Sequence, residues 1–316
     1  MAIRNTLFDL GVLASRKTSI KSIGVGNLSM GGTGKSVVVM YLIEMLKDYR
    51  TATLSRGYGR KTTSLIIAGP EDNPSTLGDE PYQFFNRYPE TTVVVSEKRI
   101  LGIEALEKML PRPDLVFLDD VMQHRWVRPQ LMIMTSSFQH PYFKDFIFPA
   151  GKLREFRSGV KRADIILITR APEGLSVDQK ETFLKNINVN VPVFFTKICY
   201  ADELTQHDKT IDSSVLSKDN FLLVTGIADT HHLVIHLKKL YGEFEHLEFQ
   251  DHHSYTPSDA RLINDRAGEK IILTTEKDFA KLAQNLNNNK LYCLTIELEF
   301  VFEEERSIFE KIIRSL

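Results

Sequence analysis

Residues 20–36 read IKSIGVGNLSMGGTGKS, an apolar run followed by a glycine-rich loop that ends in Gly-Lys-Ser. The apolar run predicts a buried β-strand, and the apolar residues that recur after Ser36 predict a helix. A strand, a glycine-rich loop and a helix in this order are the context of a phosphate-binding loop, in which backbone N–H groups and the helix N-terminus hold an anion. Lys35 would reach the β- and γ-phosphates of a nucleotide, and Ser36 would give a hydroxyl to Mg²⁺.

The loop departs from the usual pattern of phosphate-binding loops at two positions. Ser29 stands where the first glycine is expected, and Met30 stands where the deviant P-loop ATPases carry a signature lysine. The remaining GGTGK segment resembles the loop of those ATPases. The alternative is that the glycines only make a tight turn.

Apolar runs alternate with helical patterns along the rest of the chain. Continuous apolar strands between helices predict a parallel sheet covered on both faces. We therefore predict an α/β fold, with a P-loop NTPase-type doubly wound, mostly parallel sheet in a phosphate-binding domain at 1–197. After a polar stretch at 200–220, expected to be irregular, a second alternation predicts a smaller α/β domain at 198–316 that closes over the active-site cleft. The predicted helices cover 37–49, 79–88, 98–110, 229–240, 257–267, 278–286 and a terminal segment from about 303.

Composition and charge argue against several classes of protein. The chain has 316 residues, and its 40 basic and 41 acidic side chains leave a formal net charge of −1, so no global field favours nucleic acid. Two distant cysteines, Cys199 and Cys293, argue against a disulfide scaffold or a cysteine-based zinc site and are typical of a cytosolic protein. The apolar N-terminus, interrupted by Asp9, is too short to span a bilayer. It is either a helix packed on the domain or an amphipathic foot on a membrane surface.

Acidic side chains occur at the end of one predicted strand. Asp119 and Asp120 close the run LVFLDD, at the sheet edge where a P-loop protein places the acid that positions Mg²⁺. Gln123 and His124 follow, and both could contact a phosphate or hold a carboxylate. The alternative is that the two acids only cap a loop.

Two further polar clusters precede predicted helices. In LGDEP, Asp79 and Glu80 fit an ordinary helix start, or one of them faces the γ-phosphate as a general base or Mg²⁺ ligand. In FQDHHSY, His252 follows Asp251. Such a pair at a domain junction could orient a base in the cleft, although a histidine in a loop is often only structural.

Eight motifs, in this order, resemble those of the tetraacyldisaccharide 4'-kinases, the lipid A kinases of Gram-negative bacteria. The resemblance runs from about residue 4 to beyond residue 282. The motifs are GNLSMGGTGKS (26–36), SRGYGR (55–60), LGDEP (77–81), LDDVMQH (118–124), FPAGKLRE (148–155), VTGIAD (224–229), FQDHHSY (249–255) and TTEKDFAKL (274–282).

The resemblance implies an activity and a location. Such kinases transfer the γ-phosphate of ATP to the 4'-hydroxyl of a tetraacylated glucosamine disaccharide 1-phosphate, at the cytoplasmic face of the inner membrane. ATP and Mg²⁺ are the implied cofactors, and a lipid A precursor is the implied partner, with peripheral membrane contact. Neither nucleic acid nor an obligate protein partner is expected.

Carried over position by position, the resemblance also implies roles for individual residues. The expected nucleotide-binding residues are Asn27, Ser29, Met30, Gly31, Gly32, Thr33, Gly34, Lys35 and Ser36. The expected catalytic residues are Asp79, His252 and Lys35, and the expected metal ligands are Ser36, Glu80, Asp119 and Asp120. The expected substrate-binding residues are Arg56, Tyr58, Gln123, His124 and Arg154, with Arg154 as the preferred contact for the substrate phosphate.

The family pattern also suggests how the site works. The Asp79 and His252 positions look like a dyad that activates the sugar hydroxyl, and since they lie in different predicted domains we expect the dyad to form when the lobes close. Val121 stands where the family has a glycine, which should disfavour a positive-φ turn.

Two other classes of function compete with the lipid kinase. A membrane-recruited regulatory ATPase of the deviant P-loop type fits the glycine loop, Asp119 and the amphipathic C-terminal helix around Phe309. Met30 and the motifs that contain Asp79 and His252 speak against it. A kinase for a soluble sugar or cofactor precursor differs from the lipid kinase only in its acceptor.

Overall fold

The computed structural model describes residues 2–206, 209–286 and 289–316. Its helices are α1 (Ala2–Asp9), α2 (Lys35–Met45), α3 (Pro74–Leu77), α4 (Asp79–Arg87), α5 (Arg99–Lys108), α6 (Val177–Leu184), α7 (His231–Tyr241), α8 (Pro257–Ala267), α9 (Glu276–Ala283) and α10 (Glu303–Arg314). Its strands are β1 (Arg16–Lys17), β2 (Lys21–Asn27), β3 (Thr51–Ser55), β4 (Ile66–Ile67), β5 (Thr92–Val95), β6 (Leu115–Asp119), β7 (Val127–Arg128), β8 (Leu131–Ser137), β9 (Ile165–Thr169), β10 (Val193–Gln206), β11 (Lys209–Asp212), β12 (Phe221–Thr225), β13 (Glu245–Glu248), β14 (Ile271–Thr275) and β15 (Leu291–Phe300).

We call residues 1–197 the first half of the chain and residues 198–316 the second half. One large sheet runs through the described parts of both halves. Its strand order is β13-β12-β14-β15-β10-β9-β8-β2-β6-β3-β5-β4, and β11 pairs with β10 at the side. The strands from β9 to β5 in this order are parallel to one another, and β4 adds an antiparallel edge beside β5. Alternate residues of β6 enter opposite cores, since Phe117 packs with the apolar face of α2 and Val116 packs with α5. The predicted doubly wound α/β sheet is thus confirmed.

The order of strands changes direction at β2. Strands β6 and β3 lie on one side of β2, and β8 and β9 lie on the other. In open α/β sheets the crevice beyond the carboxyl end of such a strand is where ligands bind. The glycine loop starts at this point, directly after Asn27.

Strand β10 connects the two halves without a break. Residues 193–195 pair in parallel with β9, and from Thr196 onward the same strand pairs antiparallel with β15. The predicted boundary between 197 and 198 therefore falls inside a strand that both halves share. The division into two domains stays a prediction.

The expectation of an irregular stretch at 200–220 is wrong for most of its described part. Strand β10 continues to Gln206, and β11 then pairs with it. The error arose because the segment is rich in polar residues, which we interpreted as a loop. An antiparallel strand needs only one buried face, and here Leu204 supplies it while neighbouring polar side chains face solvent.

The C-terminal helix α10 packs against the first half of the chain. Phe309 and Ile313 are buried in the same core cluster as Val38 and Leu42 of α2. Most of the apolar face on which a recruited ATPase would depend is thus inside the protein, and only Ile308 among its described residues is largely exposed, so the helix gives that hypothesis little support.

The N-terminal helix α1 also packs on the first half. Phe8 is buried, with its ring 5.0 Å from that of Trp126, and Asp9 pairs with Arg125 at 2.7 Å. Ile3, Leu10 and Val12 remain exposed beside it. None of the helices described has the length and apolar character needed to cross a bilayer. Both cysteines are free.

Candidate active site

The glycine loop joins β2 to α2 through two residues in the left-handed region. Gly31 has φ 96° and Gly34 has φ 77°, values that residues with a Cβ rarely adopt. A Cβ on Gly34 would also lie 3.3 Å from Cγ2 of Thr169. The turn therefore requires glycine at these positions, and it places the loop amides at the N-terminus of α2.

Buried hydrogen bonds fix the loop from beneath. Nδ2 of Asn27 donates to Oγ1 of Thr33 at 2.8 Å, and Oγ1 of Thr169 donates to the Thr33 carbonyl at 3.0 Å. The N–H of Met30 donates to the carbonyl of Lys152 at 2.6 Å. Asn27, Ser29 and Thr33 are buried, whereas Gly31 and Gly32 are exposed. Asn27 thus supports the loop, and the exposed glycine segment is its accessible face.

The two aspartates after β6 lie in different environments. Nη1 of Arg154 donates to both oxygens of Asp120 at 2.9 and 2.7 Å, and Nζ of Lys35 lies 3.5 Å from Oδ1. Burial alone would raise the pKa of Asp120, but the charges of Lys35 and Arg154 outweigh it and lower the pKa. For Asp119, burial and then the charge of Asp120 raise the pKa to about 6.

The residue after them, Val121, fits the turn. The positive φ of 47° belongs to Asp120, an amino acid that tolerates this region. The side chain of Val121 is buried in the core cluster of α5. Val121 itself is not among the residues with positive φ, as its β-branched side chain predicts.

The donor set at the end of β6 is suited to Mg²⁺. Oδ1 of Asp119 is buried and has no hydrogen-bond partner among the described residues, and a cation would satisfy it. Ser36 lies half-buried in the first turn of α2, and the charge of Glu80 acts on Asp119. No group of three or more His, Cys, Asp or Glu side chains among the described residues could hold a metal alone. Mg²⁺ in proteins is commonly coordinated by only one or two carboxylates, together with phosphate and water oxygens.

Arg154 is held in place by a network of buried polar side chains. Gln123 donates from Nε2 to the Asn27 carbonyl at 2.8 Å and to Oε1 of Glu155 at 2.9 Å, and its Oε1 accepts from Arg154 at 3.3 Å. Glu155, which is 5% exposed, also accepts from Asn5 of α1 at 2.8 Å. Gln123 and Arg154 are thus engaged with the protein itself. Sequence reasoning missed Glu155, although it stands next to Arg154 in the FPAGKLRE motif.

Asp79 and His252 are brought together from opposite halves of the chain. The Nδ1–H of His252 donates to Oδ2 of Asp79 at 2.9 Å. The hydrogen bond raises the pKa of His252, although burial opposes it. Burial alone would raise the pKa of Asp79, but the bond to His252 and the charges of Lys281 and Lys277 lower it. His252 itself has φ 59°, so its loop holds it in a strained conformation.

Helix α9 lies beside α4 and adds two lysines that sequence reasoning did not place in the site. Lys281 lies 3.1 Å from Oδ2 of Asp79, and Lys277 lies 3.6 Å from Glu80. At the other end of the contact between α4 and α9, Arg87 donates a hydrogen bond to Glu276 at 3.0 Å. The signal was present in TTEKDFAKL, because residues four apart share one helix face.

The other residues predicted to bind substrate are Arg56, Tyr58 and His124. The ring of Tyr58, which is 72% exposed, lies 5.9 Å from that of His252. Burial and the charges of Arg99 and Arg56 lower the pKa of His124 to about 4, so its imidazole is neutral at pH 7. Arg56 is exposed. Tyr58 therefore borders the Asp79 pair, and Arg56 borders His124.

A small cavity lies within the second half of the chain, and Arg170 of the first half lines one side of it. Nη2 of Arg170 would be 3.5 Å from a Cβ on Gly32, and Nη1 of the same residue pairs with Asp229 at 2.6 Å. The walls of the cavity also include Ile198, Tyr200, Ile227 and His232. The cavity thus combines aliphatic and aromatic walls with an ion pair at the edge of the loop.

Comparisons with known proteins place the whole chain in one family. A family model described as tetraacyldisaccharide-1-P 4'-kinase matches residues 1–316. The tetraacyldisaccharide 4'-kinase of Flavobacterium psychrophilum is 40% identical over 99% of this chain and 91% of its own length. That of Bacteroides thetaiotaomicron is 34% identical over 99% of this chain and 89% of its own length.

A solved structure has the same fold over nearly its whole length. It is that of LpxK from Aquifex aeolicus in complex with ATP, with a TM-score of 0.79 and 31% sequence identity. The match covers 99% of this chain and 94% of that one. From the family model, the relatives and this structure together, we conclude that the chain belongs to the tetraacyldisaccharide-1-P 4'-kinase family.

Proposed function

We propose that this protein transfers the γ-phosphate of ATP to the 4'-hydroxyl of a tetraacylated glucosamine disaccharide 1-phosphate, a lipid A precursor. The observation that carries the proposal is the bond of 2.9 Å between His252 and Asp79. Asp79 stands at the start of α4, and the neighbouring Glu80 is close enough to the end of β6 for its charge to act on Asp119. Asp79 would thus supply a base on the same side of the sheet as the phosphate-binding loop, which is what an alcohol kinase needs and a switch ATPase does not.

The contacts of these residues support the following roles. The amides of the glycine loop and the ammonium of Lys35 would bind the nucleotide phosphates and stabilise the charge of the transferred group. Both hydrogen bonds that reach the Asp79 carboxylate from described residues end on Oδ2, so Oδ1 is available to accept the proton of the acceptor hydroxyl. His252 orients this carboxylate, and Tyr58 borders the same space.

The metal has one role in this scheme. Asp119 and Ser36 would hold Mg²⁺, with Glu80 and Asp120 nearby, and the ion would neutralise charge on the nucleotide phosphates. Asp120 is already paired with Lys35 and Arg154. Its main task would be to hold these two cations in place.

The small cavity lined by Arg170 would receive the base of the nucleotide. Its aliphatic and aromatic walls, among them Ile198 and Tyr200, suit a flat heterocycle, and Arg170, which lines the cavity, also lies near Gly32 of the loop. Since Arg170 of the first half lines it together with residues beyond 197, a bound nucleotide would touch both parts of the chain.

The protein would work as a peripheral enzyme on the cytoplasmic face of the inner membrane. Exposed apolar side chains that suit a lipid surface are Ile3, Leu10 and Val12 near α1 and Phe146, Phe148 and Phe156 in the loop before β9. Arg157 lies over the ring of Phe146 at 5.2 Å, which places a cation where an anionic headgroup would meet it. Arg56, His124 and Arg154 would face the anionic head of the substrate.

The deciding experiment follows label from γ-labelled ATP. The purified protein is incubated with Mg²⁺ and a tetraacyldisaccharide 1-phosphate in detergent, with the Lys35→Ala variant as control. Label in the lipid that is lost in the control supports the proposal. Hydrolysis of ATP that bare vesicles stimulate, with no label in the lipid, would refute it, and label on a soluble sugar alone would change the acceptor.

A further inference from the structure

Lys281 is a buried cation between two carboxylates. Its side chain is 10% exposed, and its Nζ lies 3.1 Å from Oδ2 of Asp79 and 3.5 Å from Oδ1 of Asp278. Asp79 belongs to the first half of the chain, and Lys281 and Asp278 belong to the second. An ammonium at this depth needs such partners, because desolvation of an unpaired charge is costly.

Asp278 is held rigidly on the side away from Asp79. It is fully buried, and its Oδ2 accepts from the N–H of Gly226 at 2.8 Å and from Oγ1 of Thr275 at 2.9 Å. Its Oδ1 has no hydrogen-bond partner in the described parts of the chain and faces Lys281. The position of the ammonium is thus set by a carboxylate that cannot rotate.

Lys281 and His252 act on the same oxygen of Asp79. Each donates to Oδ2, at 3.1 and 2.9 Å respectively, and they approach from different elements of the second half. A carboxylate held at one oxygen by a single donor can still swing about that bond. Two donors that converge from different directions remove this freedom, so the direction of Oδ1 is fixed as well.

We propose that Lys281 is a positioning residue for phosphoryl transfer, whose ammonium, anchored by Asp278, holds the Asp79 carboxylate with Oδ1 directed at the acceptor hydroxyl. This inference rests on the proposed function, because it assigns Lys281 a task only if Asp79 is the base.

Lys277 is the neighbouring lysine, and its contacts differ. Its Nζ lies 3.4 Å from Asp251, 3.5 Å from Nε2 of His252 and 3.6 Å from Glu80. No contact among these has the length of a good charged hydrogen bond. Lys277 spreads its charge over several groups, whereas Lys281 directs its charge at Asp79.

The test compares Lys281→Met with a double variant. We expect Lys281→Met to lower kcat for lipid phosphorylation by about tenfold or more while the KM for ATP stays within about twofold, because alignment of a base contributes to the transition state alone. In an Asp79→Asn background the same change should cost nothing further, because the oriented group is already lost. Lys281→Arg, which keeps the charge, should recover part of kcat.

A control separates positioning from folding. Lys270 pairs with Glu245 at 3.3 Å in the same half of the chain, so Lys270→Met removes a lysine ion pair away from the dyad and should leave kcat unchanged. Equal losses from Lys281→Met in the wild-type and Asp79→Asn backgrounds, or a lower Tm with unchanged kcat, would overturn the inference. If Lys281→Met does not fold, Lys281→Arg enters the same comparison. Failure of the wild-type protein to label lipid would instead refute the proposed function, and the inference with it.

Discussion

At the residue scale, the site depends on how burial and charge are distributed over its carboxylates. Asp120 and Asp79 each have cationic or histidine partners that lower the pKa, whereas in Asp119 burial raises the pKa to about 6. The motif LVFLDD predicted both acids at the strand end, but nothing in the sequence shows that the pKa of Asp119 and that of Asp120 differ. The difference arises from the burial of Asp119 and from the charges of Lys35 and Arg154 beside Asp120, which come from two other segments of the chain.

We expect Asp79→Asn to lower kcat for lipid phosphorylation by at least about 100-fold, since a positioned general base contributes roughly this much. Binding of ATP should be nearly unchanged, because Asp79 bonds to His252 and Lys281 and not to the glycine loop. Steady-state kinetics with the labelled lipid, together with ATP titration by calorimetry, measure both quantities. Unchanged turnover would remove Asp79 from the mechanism.

We expect Asp119→Asn to raise Tm at pH 7.5 while it weakens activity. A carboxyl whose pKa is about 6 in the folded protein and near 3.8 in the unfolded chain destabilises the fold above pH 6, and the penalty vanishes below pH 3.8. The gain in Tm should therefore shrink between pH 7.5 and pH 5 and correspond to about 1 to 3 kcal/mol at most. Thermal melts of both proteins across this range, without Mg²⁺, check the sign. A gain independent of pH would show that Asp119 does not carry the penalty.

At the element scale, the helices α4 and α9 form the contact that joins the halves beside the active site. Polar pairs line it, from Lys281 with Asp79 at one end to Arg87 with Glu276 at the other. The sequence predicted both helices, because each has a clear start and an amphipathic pattern. It could not predict that they meet, since Asp79 and Lys281 are far apart in the chain and neither helix has a local feature that selects its partner.

We expect Arg87→Met to destabilise the protein by about 2 to 4 kcal/mol, because it leaves Glu276 buried without its cation. Arg87 donates to both oxygens of Glu276, at 3.2 and 3.0 Å, and burial already raises the pKa of that carboxyl. Urea titration gives the magnitude. The double variant Arg87→Met with Glu276→Leu should recover most of the loss, and if it does not, packing of the arginine stem was the larger contribution.

At the scale of the whole molecule, the two halves form one sheet. The sequence predicted the fold class because continuous apolar strands and amphipathic helices are local patterns. It placed the boundary inside β10 because a strand shared by two halves looks like any other strand. Nor did it show that α10, at the end of the chain, packs with α2 near the beginning.

We expect Phe309→Ala to cost about 3 to 5 kcal/mol, since this ring is fully buried in the core of the first half. Ile308 is 54% exposed on the same helix, so Ile308→Ala serves as the matched control and should be almost neutral. Chemical denaturation measures both. Equal small effects would mean that α10 is dispensable for the core of the first half.

The pairing of β10 with β15 indicates how such a protein could have arisen. Strand β10 leaves the first half and β15 returns to it as antiparallel neighbours, with Tyr200 opposite Ile296. The segment between them therefore begins and ends at adjacent points, as an inserted gene fragment would. Replacing 201–295 by a short hairpin turn should leave an ancestral-like core that retains the glycine loop and α10. That core would keep some affinity for nucleotide phosphates and, without His252 and Lys281, would have no means of activating an alcohol.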